Sequence, residues 1–383
     1  MQLHLKQQID NLIGGALVAV HLFPVRVLGK ILRIDHRLAK PPKHIIVIKM
    51  LGLGSLILAG DALLALKKKY PETQFILIGG KALKESAGLL QLFDKVWIIN
   101  DSSFVAMIKS AVSIIFKCMK LKNKWCFDFE VYSRLTTIFS LYTFSKNRFG
   151  FEFEKVNFRN YLNTHNTYFN QFIPSEENYN MMAENAGAIV NERYYLPQRQ
   201  SAGEKQYIVI NNTCSDLSIQ RKLEPEQIIQ FVDELSKLYP YKIALAGAPS
   251  DQSDNQRIIE GLKEESRHKV ENWAGNLSFN EYISTLANKA VAMVTIDSAP
   301  LHIAARLEIP VLAIWGPTQP QSLAPDWLRS GNKYQEINLS KHCSPCVHQT
   351  KELPCRGNNT CMKDITTVQM TTVLNQLLNG QKN

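Results

Sequence analysis

The amino end of this sequence has no apolar run long enough to cross a bilayer. Residues 12–23 are apolar apart from His21, and a spanning helix needs about 20 such residues. No small-residue cleavage site precedes the basic residues that follow, which argues against a cleaved signal peptide. RRM, zinc-finger and KH signatures are missing, as is any Lys/Arg run interleaved with aromatics, so no nucleic-acid partner is expected. Paired cysteines are not evident either: there are seven, an odd number. Without an export signal a disulfide framework is not expected in so long a chain, and a reduced, cytoplasmic setting is. Acidic residues are in deficit, 34 against 44 Lys and Arg, for a net charge of +10. That balance suits anionic partners such as phospholipid, phosphorylated sugar or nucleotide. Charged residues make up only 20% and hydrophobic ones 45% of 383 residues, which excludes a disordered chain and suffices for two domain-sized cores.

Residues 1–42 differ from the rest. After the apolar run, Arg26, Lys30, Arg33, Arg37 and Lys40 recur at helical spacing, with Val27, Leu28, Ile31, Ile34 and Leu38 opposite. This pattern predicts a basic amphipathic helix lying on an anionic membrane surface. The competing reading is a helix that packs on its own domain with a solvated basic face.

From residue 43 onward, short apolar runs alternate with helical patterns joined by tight turns, which predicts parallel, doubly wound α/β sheets. Strands are expected at 43–50, 75–78, 96–99, 125–129, 207–211, 241–246, 291–296 and 311–315. A helix is expected from Ser55 to Lys69. The polar stretch 198–205 reads as a linker. The most informative segment is 294–320, VTIDSAPLHIAARLEIPVLAIWGPTQP. It reads strand, tight turn, helix with Pro300 as its first residue, strand. A helix start at the carboxyl end of a parallel strand attracts phosphate through backbone N–H groups and the helix dipole.

The residues Asp297, Ser298, Ala299, Pro300, His302, Ala304 and Ala305, followed by Gly316-Pro317-Thr318, resemble the donor-site signature of glycosyltransferase family 9, the lipopolysaccharide heptosyltransferases. The family's usual glycine is Ala299 here, which puts a positive φ at that position in doubt. Ile48, Lys49 and Gly54, then Ala62, Leu63, Leu66, Lys67, Tyr70 and Pro71, match the family's opening motif. GAPSD at 247–251 and NWAGNLSFNEYISTLANKA at 272–290 resemble two further motifs. The resemblance implies a GT-B fold, two Rossmann-like domains facing across a cleft. It divides the chain into an amphipathic segment (1–42), an acceptor domain (43–197), a donor domain (198–345) and a Cys-bearing loop with a terminal helix that crosses back to the first domain (346–383).

It also implies a donor site formed by Asn212, Arg221, Lys222, Gly247, Asp297, Ser298, Ala299 and His302. Arg221 and Lys222 would neutralise the leaving diphosphate; the plainer reading is an exposed basic pair. The family's general base is an Asp at the position of Ser55, and a neutral serine cannot deprotonate a hydroxyl unaided. Ser55 is therefore expected to contact substrate. The base is expected at Glu130 or Asp128, at the end of the 125–129 strand, with His165 third. Asp61 sits too far along its helix. The stretch 159–170, RNYLNTHNTYFN, has no periodicity and reads as a loop in which Asn163, His165 and Asn170 hold sugar hydroxyls and Arg159 a phosphate, or in which they make ordinary loop hydrogen bonds.

Cys343, Cys346, Cys355 and Cys361, with His342 and His348 nearby, fall in a C-x2-C-x8-C-x5-C pattern that suits zinc or an iron–sulfur cluster. Relatives carry S-P-C and C-M here with no established metal, so a packed loop without metal is the reading taken. The function expected is an inverting, metal-independent transfer of a sugar, heptose from ADP-heptose in the family's pattern, from a nucleotide-sugar donor onto a lipid-linked glycan at the cytoplasmic face of the inner membrane. The alternatives are a catalytically degenerate sugar-nucleotide-binding membrane scaffold, motivated by Ser55 and Ala299, and a GT-B sugar-nucleotide epimerase.

Overall fold

A computed structural model describes residues 3–199, 204–214, 218–347, 349–350 and 353–380. The chain divides between Tyr194 and Tyr195 into two compact units. The first holds β1 (His44–Lys49), β2 (Gln74–Gly80), β3 (Lys95–Ile99), β4 (Lys124–Asp128), β5 (Asn147–Glu152) and β6 (His165–Tyr168). They form one sheet in the order β3-β2-β1-β4-β5-β6, parallel throughout. The second holds β7 (Tyr207–Asn211), β8 (Lys242–Leu245), β9 (Val270–Asn272), β10 (Ala290–Ile296), β11 (Val311–Trp315) and β12 (Tyr334–Asn338). Its order is β12-β11-β10-β7-β8-β9, again all parallel. Each sheet thus reverses its winding once, between β1 and β4 in the first lobe and between β7 and β10 in the second. A crevice opens at such a switch point because the two flanking connections leave in opposite directions.

The central strands form because their residues are apolar on both faces, as a sheet covered by helices on both sides requires. Ile45 to Ile48 and Val311 to Ile314 are buried. Trp125, Phe127 and Phe149 pack on one face of the first sheet, the two phenylalanine rings stacked at 4.4 Å. The second lobe's core joins Ile208, Ile210, Phe231, Leu312 and Ile314 to Met370, Leu374 and Leu377 of the terminal helix Thr367–Asn379. That helix packs into the core of its own lobe. Of the linker 198–205, residues 200–203 lie outside the described residues.

Several local expectations change. The helix foreseen from Ser55 to Lys69 is two, Leu53–Leu58 and Gly60–Lys69, parted at Ala59. Residues 159–170 are not one loop: they end a 3-10 helix, Glu154–Tyr161, and then supply β6. At the amino end, helix Gly15–Leu32 stops where Arg33 turns left-handed (φ 42°). Arg37, Lys40, Ile34 and Leu38 therefore lie beyond the helix, and only Arg26 and Lys30 of the basic stripe remain on it. The apolar stretch is longer than the run 12–23: Leu5–Leu32 is helical over 28 residues and, by length and composition alone, long and apolar enough to cross a membrane.

One side of this helix docks on the first lobe. Val18 is buried with Ile138 and Leu162, Arg26 stacks 3.5 Å over Tyr161, and His21 Nε2 is 2.7 Å from Tyr142 Oη. Asp10 accepts bonds from Ser133 Oγ (2.6 Å), Arg134 N (3.0 Å) and Leu135 N (2.9 Å), covering the start of helix Arg134–Tyr142. The carboxylate satisfies first-turn donors and meets the positive end of the dipole. Asp10→Ala is expected to lower stability by about 2 kcal/mol and to expose the 3–32 helix to limited proteolysis. Urea denaturation and protease digestion check this; an unchanged midpoint and cleavage pattern would show that the docking does not depend on Asp10.

Candidate active site

In the second lobe the switch point is built from the ends of β7 and β10. β10 delivers Asp297, and Ser298 is extended (φ −162°) as the residue before helix Ala299–Arg306. Ala299 is the first helical residue, one ahead of the position expected for Pro300, and its φ is not positive. Alanine therefore fits where the family has glycine, without backbone strain. No side chain caps this helix start; Pro300 has no N–H and Leu301 N donates to Ser298 O at 3.1 Å, so the Ala299 amide and the positive end of the helix dipole are what the turn offers an anionic ligand.

Arg221 fixes the turn. Its Nη1 donates to Asp297 O at 2.6 Å and lies 3.5 Å from Asp297 Oδ2, while its Nε donates to Ser218 O at 3.2 Å. Lys222 Nζ stands 3.6 Å from Asp251 Oδ1. Asp251 in turn accepts from Ala248 N at 2.9 Å, closing the turn after β8. Gly247 is needed in that turn because a Cβ would come within 2.9 Å of Asp251 Cβ. Asn212 braces its own loop: its amide bonds Leu223 N and Leu223 O, both at 2.9 Å, holding the segment in which residues 215–217 lie outside the described residues. Asn211, which sequence reasoning does not single out, bridges the switch point by donating to Ser298 Oγ at 3.2 Å and to Thr213 O at 3.1 Å. Its only sequence signal is a polar residue ending an apolar strand.

His302 is buried on the same helix, and its Nδ1 has no hydrogen-bond partner among the described residues. Burial pushes the imidazole down to about 4; Asp297 pulls it up and Arg306 pushes it further down. The ring is neutral at physiological pH and offers one donor and one acceptor nitrogen.

In the first lobe the switch point lies between β1 and β4. Gly52 takes a left-handed φ of 84° that glycine tolerates, and Ser55 Oγ donates to its carbonyl at 2.8 Å. Glu130 reaches across from the end of β4. Its Oε1 accepts from Met50 N (2.7 Å) and Leu51 N (3.0 Å), and its Oε2 lies 3.2 Å from Lys49 Nζ. Burial disfavours the Lys49 ammonium, but Glu130, Tyr179 and Asp128 outweigh it, so the lysine pKa is raised. The buried Tyr179 lies beside Ser55 and Lys49, and burial pushes its phenol up against the pull of Lys49. Ser55, Lys49, Glu130 and Tyr179 thus form one cluster.

The remaining residues named from the sequence lie apart from that cluster's open side. Asp128 and Arg159 are both 0% exposed and pair at 3.4 Å. Burial lifts the Asp128 carboxyl to about 6 against the pull of Arg159, and Thr136 donates to it at 3.0 Å. A fully enclosed carboxylate cannot meet a sugar hydroxyl, and an enclosed guanidinium cannot meet a phosphate, so both expectations are corrected. His165 opens the edge strand β6 and stacks on Phe149 at 4.5 Å, one register step before the level of Asp128. It does not join the cluster. Asn163 is buried, and Asn170 makes ordinary loop bonds with Asn178 and Phe172. Cys343, Cys346, Cys355 and Cys361 line one cavity of the second lobe, and His348 lies outside the described residues.

The family model of glycosyltransferase family 9 (heptosyltransferase) matches residues 151–356. The chain belongs to glycosyltransferase family 9. It is 23% identical over 317 residues to lipooligosaccharide heptosyltransferase 2 of Campylobacter jejuni, covering 82% of this chain and 92% of that one. It is 40% identical over 85 residues to lipooligosaccharide heptosyltransferase 2 of Haemophilus influenzae, a match that takes in 22% of this chain and 24% of that protein. The solved ADP-heptose lipopolysaccharide heptosyltransferase II of Escherichia coli superposes with a TM-score of 0.68 at 16% identity, over 89% of this chain and all (100%) of that one, which establishes the GT-B fold. As a family 9 member the protein is a glycosyltransferase.

His302 gives this glycosyltransferase a pH signature. Its folded pKa of about 4 lies below the ordinary 6.5. The unfolded chain therefore binds the proton first, and stability is lost as pH falls from 6.5 towards 4. The loss is on the order of 3 kcal/mol. His302→Asn should flatten that part of the stability–pH profile measured by urea unfolding; parallel profiles for the two proteins would remove the assignment.

Proposed function

We propose that this family 9 protein transfers heptose from ADP-heptose to a lipopolysaccharide-type, lipid-linked glycan, with inversion at the anomeric carbon. The observation that carries the reading is the uncapped helix start at the β7/β10 switch point, with Arg221 bonded to the carbonyl of Asp297 beside it. There the diphosphate would meet the Ala299 amide, the positive end of the helix dipole and the charge of Arg221 and Lys222, so cationic side chains rather than a metal ion would balance the leaving group. Neutral His302 would add a hydrogen bond. Asp297, being anionic, would shape the turn and bind hydroxyls.

On the first lobe the base we propose is Glu130. Of the four residues named for catalysis, it and Ser55 border the β1 turn, and its side chain keeps 16% of its surface exposed. A general base deprotonates the acceptor hydroxyl as that oxygen attacks the anomeric carbon and the nucleotide diphosphate departs. Ser55 would bind the acceptor. Thermal shift against ADP-, UDP-, GDP- and CMP-sugars should single out the ADP-sugar, and Arg221→Ala should weaken that donor by about tenfold or more. Glu130→Gln keeps a carbonyl for the Met50 and Leu51 amides and loses the base, so kcat should fall by roughly 10²–10⁴ with donor affinity unchanged. A sharp gain of activity in Ser55→Asp would overturn the choice of Glu130.

We further propose that the protein works at the cytoplasmic face of the inner membrane, with the amino-terminal helix lying in the bilayer surface. Its lobe-facing side carries Asp10, His21 and Arg26 in polar contacts, which a hydrocarbon setting would not tolerate. Its outer side exposes Leu12, Val20, Phe23, Val27 and Ile31, with Leu12 and Phe23 each 75% accessible. A second stripe not foreseen from the sequence, Val105, Ile108, Val112, Phe116 and Met119, is exposed on helix Phe104–Lys120 beside Lys109, Lys117 and Lys120. Phe23→Asp with Ile31→Asp should cut binding to anionic vesicles by at least roughly tenfold in cosedimentation, and Phe116→Glu should reduce it further. Retention of binding in all three would return the helix to a purely structural role.

A further inference from the structure

The amino-terminal helix reaches the β1/β4 boundary through bonds that the transfer chemistry does not use. Lys6 pairs with Asp101, in the turn after β3, and Asp10 accepts from Ser133, Arg134 and Leu135, after β4. In the sheet order these two fastening points flank β2 and β1. Gly14 makes the second one possible, since a Cβ there would come within 2.7 Å of Arg134 Cβ. Arg134 Nη1 also donates to Asn11 Oδ1 at 2.7 Å.

From Ser133 the bonds run on to Glu130. Ser133 O accepts from Arg159 Nη2 at 2.9 Å, and the same nitrogen lies 3.4 Å from Asp128 Oδ2. Asp128 Oδ1 accepts from Glu130 N at 3.1 Å, and Thr136, in the first turn of helix Arg134–Tyr142, donates to Oδ2 at 3.0 Å. Glu130 then holds the amides of Met50 and Leu51. Residues 128–133 are thus held at both ends, by Asp128 and by Ser133, and one nitrogen of Arg159 joins the two.

The Arg159–Asp128 pair is a poor source of stability. Both side chains are 0% exposed, and Nε and Nη1 of Arg159 have no partner among the described residues. An enclosed ion pair with donors left over contributes little net stability, because desolvation of both charges offsets their attraction. What it supplies is geometry: an enclosed nitrogen bonded on two sides ties the end of β4 to the start of the next helix.

We propose, on the reading of Glu130 as the base, that Asp10, Ser133, Arg159 and Asp128 are positioning residues that set the segment carrying Glu130, so that seating of the amino-terminal helix completes the acceptor half of the site. Asp10 touches no substrate. Undocking the helix takes its carboxylate from Ser133 Oγ and from two first-turn amides. The turn then frays, Ser133 O leaves Arg159, and Glu130 loses its fixed place relative to the acceptor hydroxyl. A misplaced base lowers kcat and leaves donor binding on the other lobe alone.

Hydrogen exchange on the full-length protein reads this relay without any activity. Asp10→Asn keeps one carbonyl acceptor, yet should lower protection by roughly tenfold or more at Arg134 and Leu135 and also at Glu130, Met50 and Leu51. Ile114→Ala, which removes core packing elsewhere in the first lobe, should lower protection evenly across that lobe and not at these five amides in particular. In sugar transfer Asp10→Asn should lower kcat by roughly tenfold or more with the donor KM unchanged. In the Glu130→Gln background it should cost nothing further, because a residue that acts through Glu130 has no effect once the base is gone. An intact kcat in Glu130→Gln alone would overturn the base and not the relay, which the exchange at Met50 and Leu51 reads by itself. Loss of protection confined to Arg134 and Leu135, or kcat costs of the two substitutions that simply multiply, overturns the relay.

Discussion

Both lobes depend on one constraint of parallel sheets: the place where winding reverses cannot be covered by its own connections. At the β1/β4 and β7/β10 boundaries adjacent strands end side by side while the chains that follow them turn away to opposite faces. Backbone groups at those ends lose sheet partners and must be satisfied by side chains or by ligand. The protein uses one side chain at the first place and two at the second. In the first lobe Glu130 crosses the boundary to take the amides of Met50 and Leu51. In the second, Arg221 caps the carbonyl of Asp297 and Asn211 reaches Ser298. An acid serves exposed donors in one case and a base serves an exposed acceptor in the other. The first arrangement leaves a partly exposed carboxylate at its boundary and the second a partly exposed guanidinium, the two charges that the proposed transfer uses.

The basic excess of the chain is distributed unevenly. Lys49 and Arg159 are buried against acids and add nothing to an external field. Arg221 and Lys222 are each within ion-pair distance of an acid, yet keep partly exposed side chains near an uncapped helix start. Net charge therefore says less about ligand binding here than the position of a few cations relative to backbone dipoles. The same holds at the amino end, where most of the basic spacing lies past the end of the helix. The exposed apolar stripe, not the charge pattern, is the feature of that helix on which the proposed membrane contact rests.

The strands are legible because buried parallel strands are unbroken apolar runs; β7 and β11 fall where those runs do. What stays hidden is whatever depends on distant partners or on a single residue's φ. The polar edge strand β6, His-Asn-Thr-Tyr, has no apolar alternation, and its composition is that of a loop. The spacing of Arg33, Arg37 and Lys40 continues a helical rhythm that the left-handed Arg33 ends. Asp128 and Glu130 look interchangeable in sequence, but Asp128 is still within the strand and faces buried Arg159, whereas Glu130 lies past the last ladder bond and is free to cross to β1. The turn at 297–300 is readable since it is local: strand end, Asp-Ser-Ala-Pro, helix. The Asn211 bridge and the Asn212 clamp are not, because their partners lie 87 and 11 residues away.

The serine at position 55 has a consistent electrostatic reading. Lys49 is enclosed and its charge is matched by Glu130 at 3.2 Å, with Tyr179 beside both. An aspartate in place of Ser55 would put a second carboxylate beside this pair, giving the cluster a net negative charge in a poorly solvated setting. Two carboxylates sharing one lysine repel, and one of them is driven to hold a proton. With serine the Lys49 charge is matched at contact distance by a single acid, Glu130. The serine that stands where the family's pattern has aspartate is therefore the residue that leaves Glu130 as the acid in contact with Lys49, with enclosed Asp128 acting on the lysine only through its field.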